Sequence, residues 1–291
     1  MKKYIENLFL VLFALLVFTA CSDEQGTDVG NDSQPKVSLY NYGAPPPADS
    51  DNDLILRVAA NNKTESAYYF VESKQMKETR GMSDAEYAEF VAANGTLISG
   101  INGESVADVI VAGLYGDQVI SVAAVGGGKK TLSSIEFTGL AWREVTTGTY
   151  YFGSYSRRAM AGCPESKEVT LLVCTTDANL YKIKDLYGAG YSLKFKKTGD
   201  KDKKGGLDVE FGRVNTTYTS YLSTNYRGED ATQVYLRDMG YGYNNDAYAT
   251  NLNYGCYIFT ESNIMYFTYR YADSVGNLTW DNDEFIPSNV N

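Results

Sequence analysis

Met265, Phe267, Tyr269 and Tyr271 occupy every second position of one short segment, and this two-residue period recurs in other segments of the second half of the chain. Successive side chains of a strand point to opposite faces, so a period of two commits a segment to a half-buried β-strand. Tyr191, Leu193 and Phe195 alternate with polar residues, and so do Leu207, Val209 and Phe211. Residues 190–197 and 206–214 therefore read as a hairpin, with the polar run 198–205 as its exposed turn. A second hairpin joins 256–260 to 263–271 through Glu261 and Ser262, and residues 167–175 and 180–184 supply further strands. Between residues 36 and 138, β-rich runs fall at 37–42, 54–60, 67–72, 106–112, 118–125 and 133–138. One helix interrupts them at 83–94: Ser83 and Glu86 form a capping-box pair, Tyr87, Phe90 and Val91 make an apolar stripe, and Asn94-Gly95 ends it. The expected fold is all-β, with two tandem β-sandwich-like domains, the first carrying this one inserted short helix. The domains would span 36–138 and 139–291, the second a sandwich or a barrel.

The first twenty residues do not belong to that fold. Lys2 and Lys3 precede an unbroken apolar run of eleven residues, 8–18, the right length for a signal-peptide core and too short for a membrane span. The run ends Phe18-Thr19-Ala20-Cys21, which resembles the lipobox of bacterial lipoproteins. That resemblance implies cleavage before Cys21 and lipidation of its thiol. Residues 21–35 would then be a lipidated polar tether, and the lipid the only membrane contact. The acidic pair in Cys21-Ser22-Asp23-Glu24 resembles the surface-export signal of lipoproteins in gut-type Gram-negative bacteria, which implies the outer membrane with the folded part facing the exterior.

Leu114-Tyr115-Gly116-Asp117, then Ile120-Ser121-Val122-Ala123-Ala124, a glycine turn at 126–128 and a strand ending Phe137-Thr138 resemble a fibronectin type III-like module. Ile120 stands where that family usually has its corner tyrosine. Such modules imply a spacer or presenter. Trp142, Gly148-Thr149-Tyr150 and Leu180-Tyr181-Lys182-Ile183 resemble the opening strands of C-terminal domains in surface lipoproteins, which implies a fold neighbourhood and no activity.

The chain contains no histidine. Serine–histidine–aspartate and cysteine–histidine catalysis, and the commonest zinc sites, are therefore excluded. Carboxylates are plentiful, but no pair is singled out as a glycosidase would need. The sequence reads as a non-enzyme without cofactor or metal. Its net charge is −10 and no domain is basic, so nucleic acid is not an expected partner. Asp49, Asp51 and Asp53 alternate like the start of a calcium loop, but Leu54 and Ala60 stand where its glycine and closing glutamate belong, leaving a solvated loop. Asp281, Asp283 and Glu284 read as an acidic surface turn. Cys163, Cys174 and Cys256 allow at most one internal bridge and are expected as small buried residues.

Two features carry the functional expectation. Lys194, Lys196, Lys197, Lys201, Lys203 and Lys204 crowd the first hairpin, either as a solubilising tip or as a contact for an acidic polymer. Of 25 tyrosines, 18 lie in residues 139–291. Tyr181, Tyr191 and Tyr257 alternate within strands and belong to the core. The run from Gly240 to Tyr248 reads as a loop in which Tyr241, Tyr243 and Tyr248 lie among Asn244, Asn245 and Asp246. Flat rings beside amides and a carboxylate suit the apolar face and hydroxyls of a sugar. Asp273-Ser274-Val275 resembles a bacterial O-glycosylation pattern, with Ser274 as acceptor. The chain is thus expected to be a cell-surface lipoprotein that binds an extracellular glycan or host surface component. The alternative is a structural or assembly component of a surface complex or fimbria, with a protein partner.

Overall fold

The computed structural model describes residues 33–223 and 232–289. The expected signal peptide and Cys21 lie outside the described residues. Contacts divide the chain into two compact units. One comprises the described part of Met1–Tyr40 with Arg57–Val109 and Val119–Ile135; the other comprises Asn41–Leu56, Ile110–Gln118 and the described parts of Glu136–Asn291.

The first half holds β1 (Val37–Gly43), β2 (Leu54–Ala60), β3 (Ser66–Ser73), α1 (Lys74–Arg80), α2 (Asp84–Asn94), β4 (Thr96–Leu97), β5 (Ser105–Val111), β6 (Gly116–Gly126) and β7 (Lys129–Gly139). They form a three-stranded sheet in the order β1–β2–β5 and a four-stranded sheet in the order β4–β3–β6–β7. The capping box at Ser83 and Glu86 is present. Tyr87 and Val91 of α2 pack against Ala123, with Phe70, Phe90 and Leu132 around them. The expected single helix is in fact two. α1 is capped by Ser73, which accepts from the Met76 amide, and is stopped by Gly81 at φ +60. It buries no residue, so no apolar stripe marks it in the sequence.

The second half is a closed barrel, not a sandwich. Its strands are β8 (Trp142–Tyr151), β9 (Met160–Ala161), β10 (Ser166–Cys174), β11 (Leu180–Ile183), β12 (Leu193–Lys204), β13 (Leu207–Arg213), β14 (Thr217–Ser223), β15 (Gln233–Asp238), β16 (Cys256–Phe259), β17 (Met265–Ala272) and β18 (Asn277–Pro287). Two short helices, α3 (Ser154–Ala159) and α4 (Met239–Tyr243), and a 3₁₀ turn at Asp246–Tyr248 complete it. Eight strands pair antiparallel in chain order, β8–β10–β11–β12–β13–β16–β17–β18, and β18 returns to β8 with Phe285 opposite Tyr150. An even number of up-and-down strands lets the last lie antiparallel to the first, which removes the free edges. One edge of β17 is shared: Met265 and Tyr266 pair with β16, whereas residues 269–272 pair with β15, from which β14 and β9 extend the sheet.

An eight-stranded barrel is just wide enough for its own side chains to fill. Tyr150, Leu171, Leu193, Phe195, Ile258, Phe267, Tyr269, Tyr271 and Phe285 do so. The alternating Met265, Phe267, Tyr269 and Tyr271 are all fully buried, as their period requires. Tyr181 and Tyr191, expected in the core, are partly buried at its margin, and Tyr257 packs in a separate cluster with Val209 and Phe211. Gly212 leaves room for a ring: a Cβ there would lie 2.2 Å from Cζ of Phe195. Gly212→Ala should therefore lower stability by about 1–3 kcal/mol through overpacking, read as a fall in the urea midpoint with an unchanged slope.

The run 198–204, expected as a turn, is strand. β12 continues through it and pairs with β13 beyond a register shift between Lys197 and Lys201. The turn is the pair Gly205-Gly206, at φ +59 and +86. Two successive positive φ values suit the two-residue hairpin turn that matches strand twist, and glycine adopts them without strain.

Candidate functional site

The outward face of β11, β12 and β13 carries a concentration of cations set by strand register. Lys182 of β11 lies opposite Lys194 of β12. One step along, Leu180, Lys196 and Arg213 form a row across the three strands. Like charges directly opposite across a ladder repel. The first pair is resolved internally. Segment 44–53 lies over Lys182, whose Nζ donates to Asp49 at 2.6 Å and to Asp51 at 2.9 Å, while Lys194 donates to the other Asp51 oxygen at 2.7 Å. Asn52 anchors the segment by donating to the carbonyls of Leu114 at 2.8 Å and Leu140 at 2.6 Å. Burial alone would raise the Asp51 carboxyl, but the Lys194 and Lys182 ammonium groups outweigh it and hold the carboxyl below its usual range. The run 49–53 is therefore not the solvated loop expected from sequence. Lys182 is only 2 % exposed.

Beside that covered pair opens a groove of about 590 Å³. Leu180, Lys194, Lys196, Lys197, Arg213 and Tyr241 line it, with Thr198, Asn215, Thr216 and Thr217. No carboxylate is among these residues. Asp238 builds the aromatic wall: buried at the start of α4, it accepts from the Tyr241 amide at 2.8 Å and takes Nε of Arg213 at 3.0 Å on its other oxygen. Asp246 holds Nη1 of Arg213 at 2.7 Å. The guanidinium then lies 3.9 Å from the centroid of the Tyr241 ring, within cation–π range. Tyr241 remains 44 % exposed.

The remaining residues of the expected tyrosine loop have other roles. Residues 239–243 form a helical turn rather than a loop, and Asn244 is its left-handed cap at φ 50. The Asn245 side chain accepts from the Ala247 amide at 3.1 Å. Arg270 lies over Tyr243, 4.7 Å from its ring centroid, and Tyr243 joins a chain of rings, tilted against Tyr248 at 5.5 Å, which meets Tyr254 edge to face. Of the six expected residues, Tyr241 lines the groove, Asp246 fixes its arginine, and the others lie outside its lining. The lysine cluster divides likewise. Lys203 pairs with Asp208 at 2.7 Å, and Lys204 lies 4.9 Å above the Tyr257 ring. Arg213 and Leu180 escaped the sequence reading: Arg213 falls in step with Leu207, Val209 and Phe211, the face that alternation marks as apolar, and only its register opposite Lys196 sets it beside the lysines.

A second polar cluster lies inside the barrel. Asp281 and Asp283, expected on a surface turn, belong to β18 and meet the start of α3. Asp281 accepts from the amides of Tyr155 at 2.6 Å and Ser156 at 2.9 Å. Asp283 is fully enclosed. It accepts from the Gly153 amide at 2.9 Å and from the hydroxyls of Ser156 at 2.7 Å, Tyr271 at 2.8 Å and Tyr150 at 3.1 Å. Burial is the larger effect and pushes its carboxyl up to about 6 despite those donors. Cys163, Cys174 and Cys256 are free thiols, with Cys174 and Cys256 buried. Ser274 is exposed in the turn between β17 and β18, where Asp273 accepts from the amides of Val275 and Gly276. No protein family, curated protein or solved structure matches this chain.

Proposed function

We propose that the chain is a surface lipoprotein, anchored through lipid on Cys21, that captures an extracellular glycan in the groove walled by Tyr241. One observation carries the reading: an exposed ring is fixed from behind by Asp238 and Arg213 and stands beside the hydroxyl and amide groups of Thr198, Thr216, Thr217 and Asn215. A rigid ring offers a flat apolar surface at low entropic cost, and the polar side chains around it match sugar hydroxyls. The tight filling of the barrel interior supports an external site. The three- and four-stranded sheets of the first half have the strand count of a fibronectin type III-like module, which supports a spacer role between tether and groove. Among the described residues, no helix is long and apolar enough to cross a membrane, and a lipid anchor is compatible with that.

Affinity electrophoresis of the full chain through gels containing a panel of polysaccharides tests the site. Tyr241→Ala should weaken retardation about tenfold, the equivalent of about 1.4 kcal/mol, whereas Tyr243→Ala should leave it unchanged. Equal loss from both variants, or from neither, would reject Tyr241 as the wall of the site. Anchoring is tested separately: labelled palmitate should enter the protein in cells and be absent from Cys21→Ala, and protease added to intact cells should degrade the wild type.

A further inference from the structure

The ligand's charge follows from how the barrel treats two neighbouring pairs of cations. Lys182 and Lys194 oppose each other on β11 and β12, and Asp51 bridges them, one oxygen to each. Lys196 and Arg213 oppose each other one step away on β12 and β13. Directly opposed side chains start about 5 Å apart at Cβ, so the two cations are near enough for one anion to reach both. Among the described residues, no carboxylate bridges it. Asp177 holds Lys196 at 2.8 Å, and Asp238 and Asp246 hold Arg213, each acid serving one cation only. None of those acids lines the groove, and the Lys196 side chain is 61 % exposed.

We propose that Lys196 and Arg213 form an anion clamp, and that the glycan captured there is acidic, its carboxylate or sulfate ester bridging the two cations as Asp51 bridges Lys182 and Lys194. The inference rests on the glycan reading of the groove and adds the charge of the sugar to it. An anion of either kind has two or more oxygens and can accept from both side chains at once, and charge-assisted hydrogen bonds are the stronger class. Leu180, opposite Lys196 on β11, gives the same row an apolar end, and Tyr241 covers one face of the guanidinium. The clamp is thus placed to read the acidic substituent, with the ring and the threonines beside it for the rest of the sugar.

The test is affinity electrophoresis of the full chain in gels containing polygalacturonate, chondroitin sulfate or a neutral glucan, at low and at 0.5 M salt (a range over which screening shortens to a few ångströms). The expected result is retardation by one or both acidic polymers, lost at high salt and weakened about tenfold by Lys196→Gln. Lys203→Gln removes the same charge from the hairpin tip, outside the groove, and should leave retardation unchanged. Polygalacturonate against chondroitin sulfate separates a carboxylate from a sulfate preference. Equal weakening by both substitutions would mean diffuse charge attraction and would overturn the clamp. Tyr241-dependent retardation by the neutral glucan alone, indifferent to Lys196→Gln, would overturn the clamp and leave the glycan reading standing. No retardation by any of the three would remove both.

Discussion

Asp283→Leu should leave the barrel unfolded or weakened by more than about 3 kcal/mol, whereas Asp283→Asn should keep the fold and remove a pH dependence. Four donors converge on this carboxylate: the Gly153 amide and the hydroxyls of Ser156, Tyr271 and Tyr150. Leucine would remove the one acceptor they share, leaving Ser156 and Tyr150 only long 3.4 Å contacts to Asp281 and the Tyr187 hydroxyl, and each buried unpaired donor costs about 1–3 kcal/mol. The pH dependence has the opposite sign to ordinary acid denaturation. Burial, the largest cause, raises the folded carboxyl from 3.8 to about 6, so the native state binds a proton more tightly than the unfolded chain. This group's contribution to stability is therefore full below about pH 4 and is lost as pH rises through 6, a change of about 3 kcal/mol. Carboxylates held low, such as Asp51, contribute the reverse slope but do so in both proteins. The measurement is therefore the difference in urea stability between wild type and Asp283→Asn from pH 4 to pH 7. A flat difference would show that burial does not perturb Asp283.

That carboxylate also shows how far the sequence could be read. Asp281, Asp283 and Phe285 lie two apart, and Phe285 is fully buried, so the period that located the other strands already places Asp283 on the inward face. The three clustered carboxylates nevertheless have the composition of a surface turn, and composition alone does not tell the two apart. Closure of the barrel was not legible at all. Phe285 opposite Tyr150 and Ile286 opposite Thr149 are pairings across most of the second half of the chain. The alternation within β8 and β18 would be the same in a sandwich. Strand period identifies a buried face but not what covers it.

The candidate site was legible as parts and not as a site. The tyrosine run drew attention to Tyr241, and the lysine run to Lys194 and Lys196. What joins them is Arg213, an isolated residue whose importance comes from register opposite Lys196 and from the ring stacked on it. Tyr243 and Tyr248 match the same compositional pattern as Tyr241, yet they meet each other as a tilted ring pair outside the groove lining: the helical turn 239–243 points Tyr243 away from Tyr241, and Tyr248 belongs to the following 3₁₀ turn. Asp49 and Asp51 have the composition of a solvated loop, and no calcium-loop pattern completes them. Their partner Lys182 lies more than a hundred residues away, and nothing near either in sequence announces the other.

Lys182→Met should cost about 1–3 kcal/mol, below the penalty of about 3–5 kcal/mol for a buried charge left wholly unpaired, because Lys194 still holds Asp51 at 2.7 Å. The ammonium sits between Asp49 and Asp51 and lies 5.2 Å from the centroid of the Trp142 ring, with 1 % of its side chain exposed. Methionine nearly fills the volume, so lost packing contributes little and the cost falls on Asp51, whose side chain is 6 % exposed. Asp49→Asn should cost much less, because that side chain is 31 % exposed and Lys182 keeps Asp51. In the Lys182→Met background, Asp51→Asn should cost less than in the wild type, since only Lys194 then pairs with the carboxylate; a double-mutant cycle of these two positions should therefore show coupling. The pH sign can be checked on the same proteins. The folded Asp51 carboxyl is held low, so its contribution is present above about pH 4 and lost as pH falls through the folded value, and Lys182→Met should lose part of that acid-limb slope. Urea titrations at pH 7 and pH 3.5 measure both quantities. Additive single costs would mean that Asp51 depends on Lys194 alone, and Lys182 would then be buried for its stem rather than its charge.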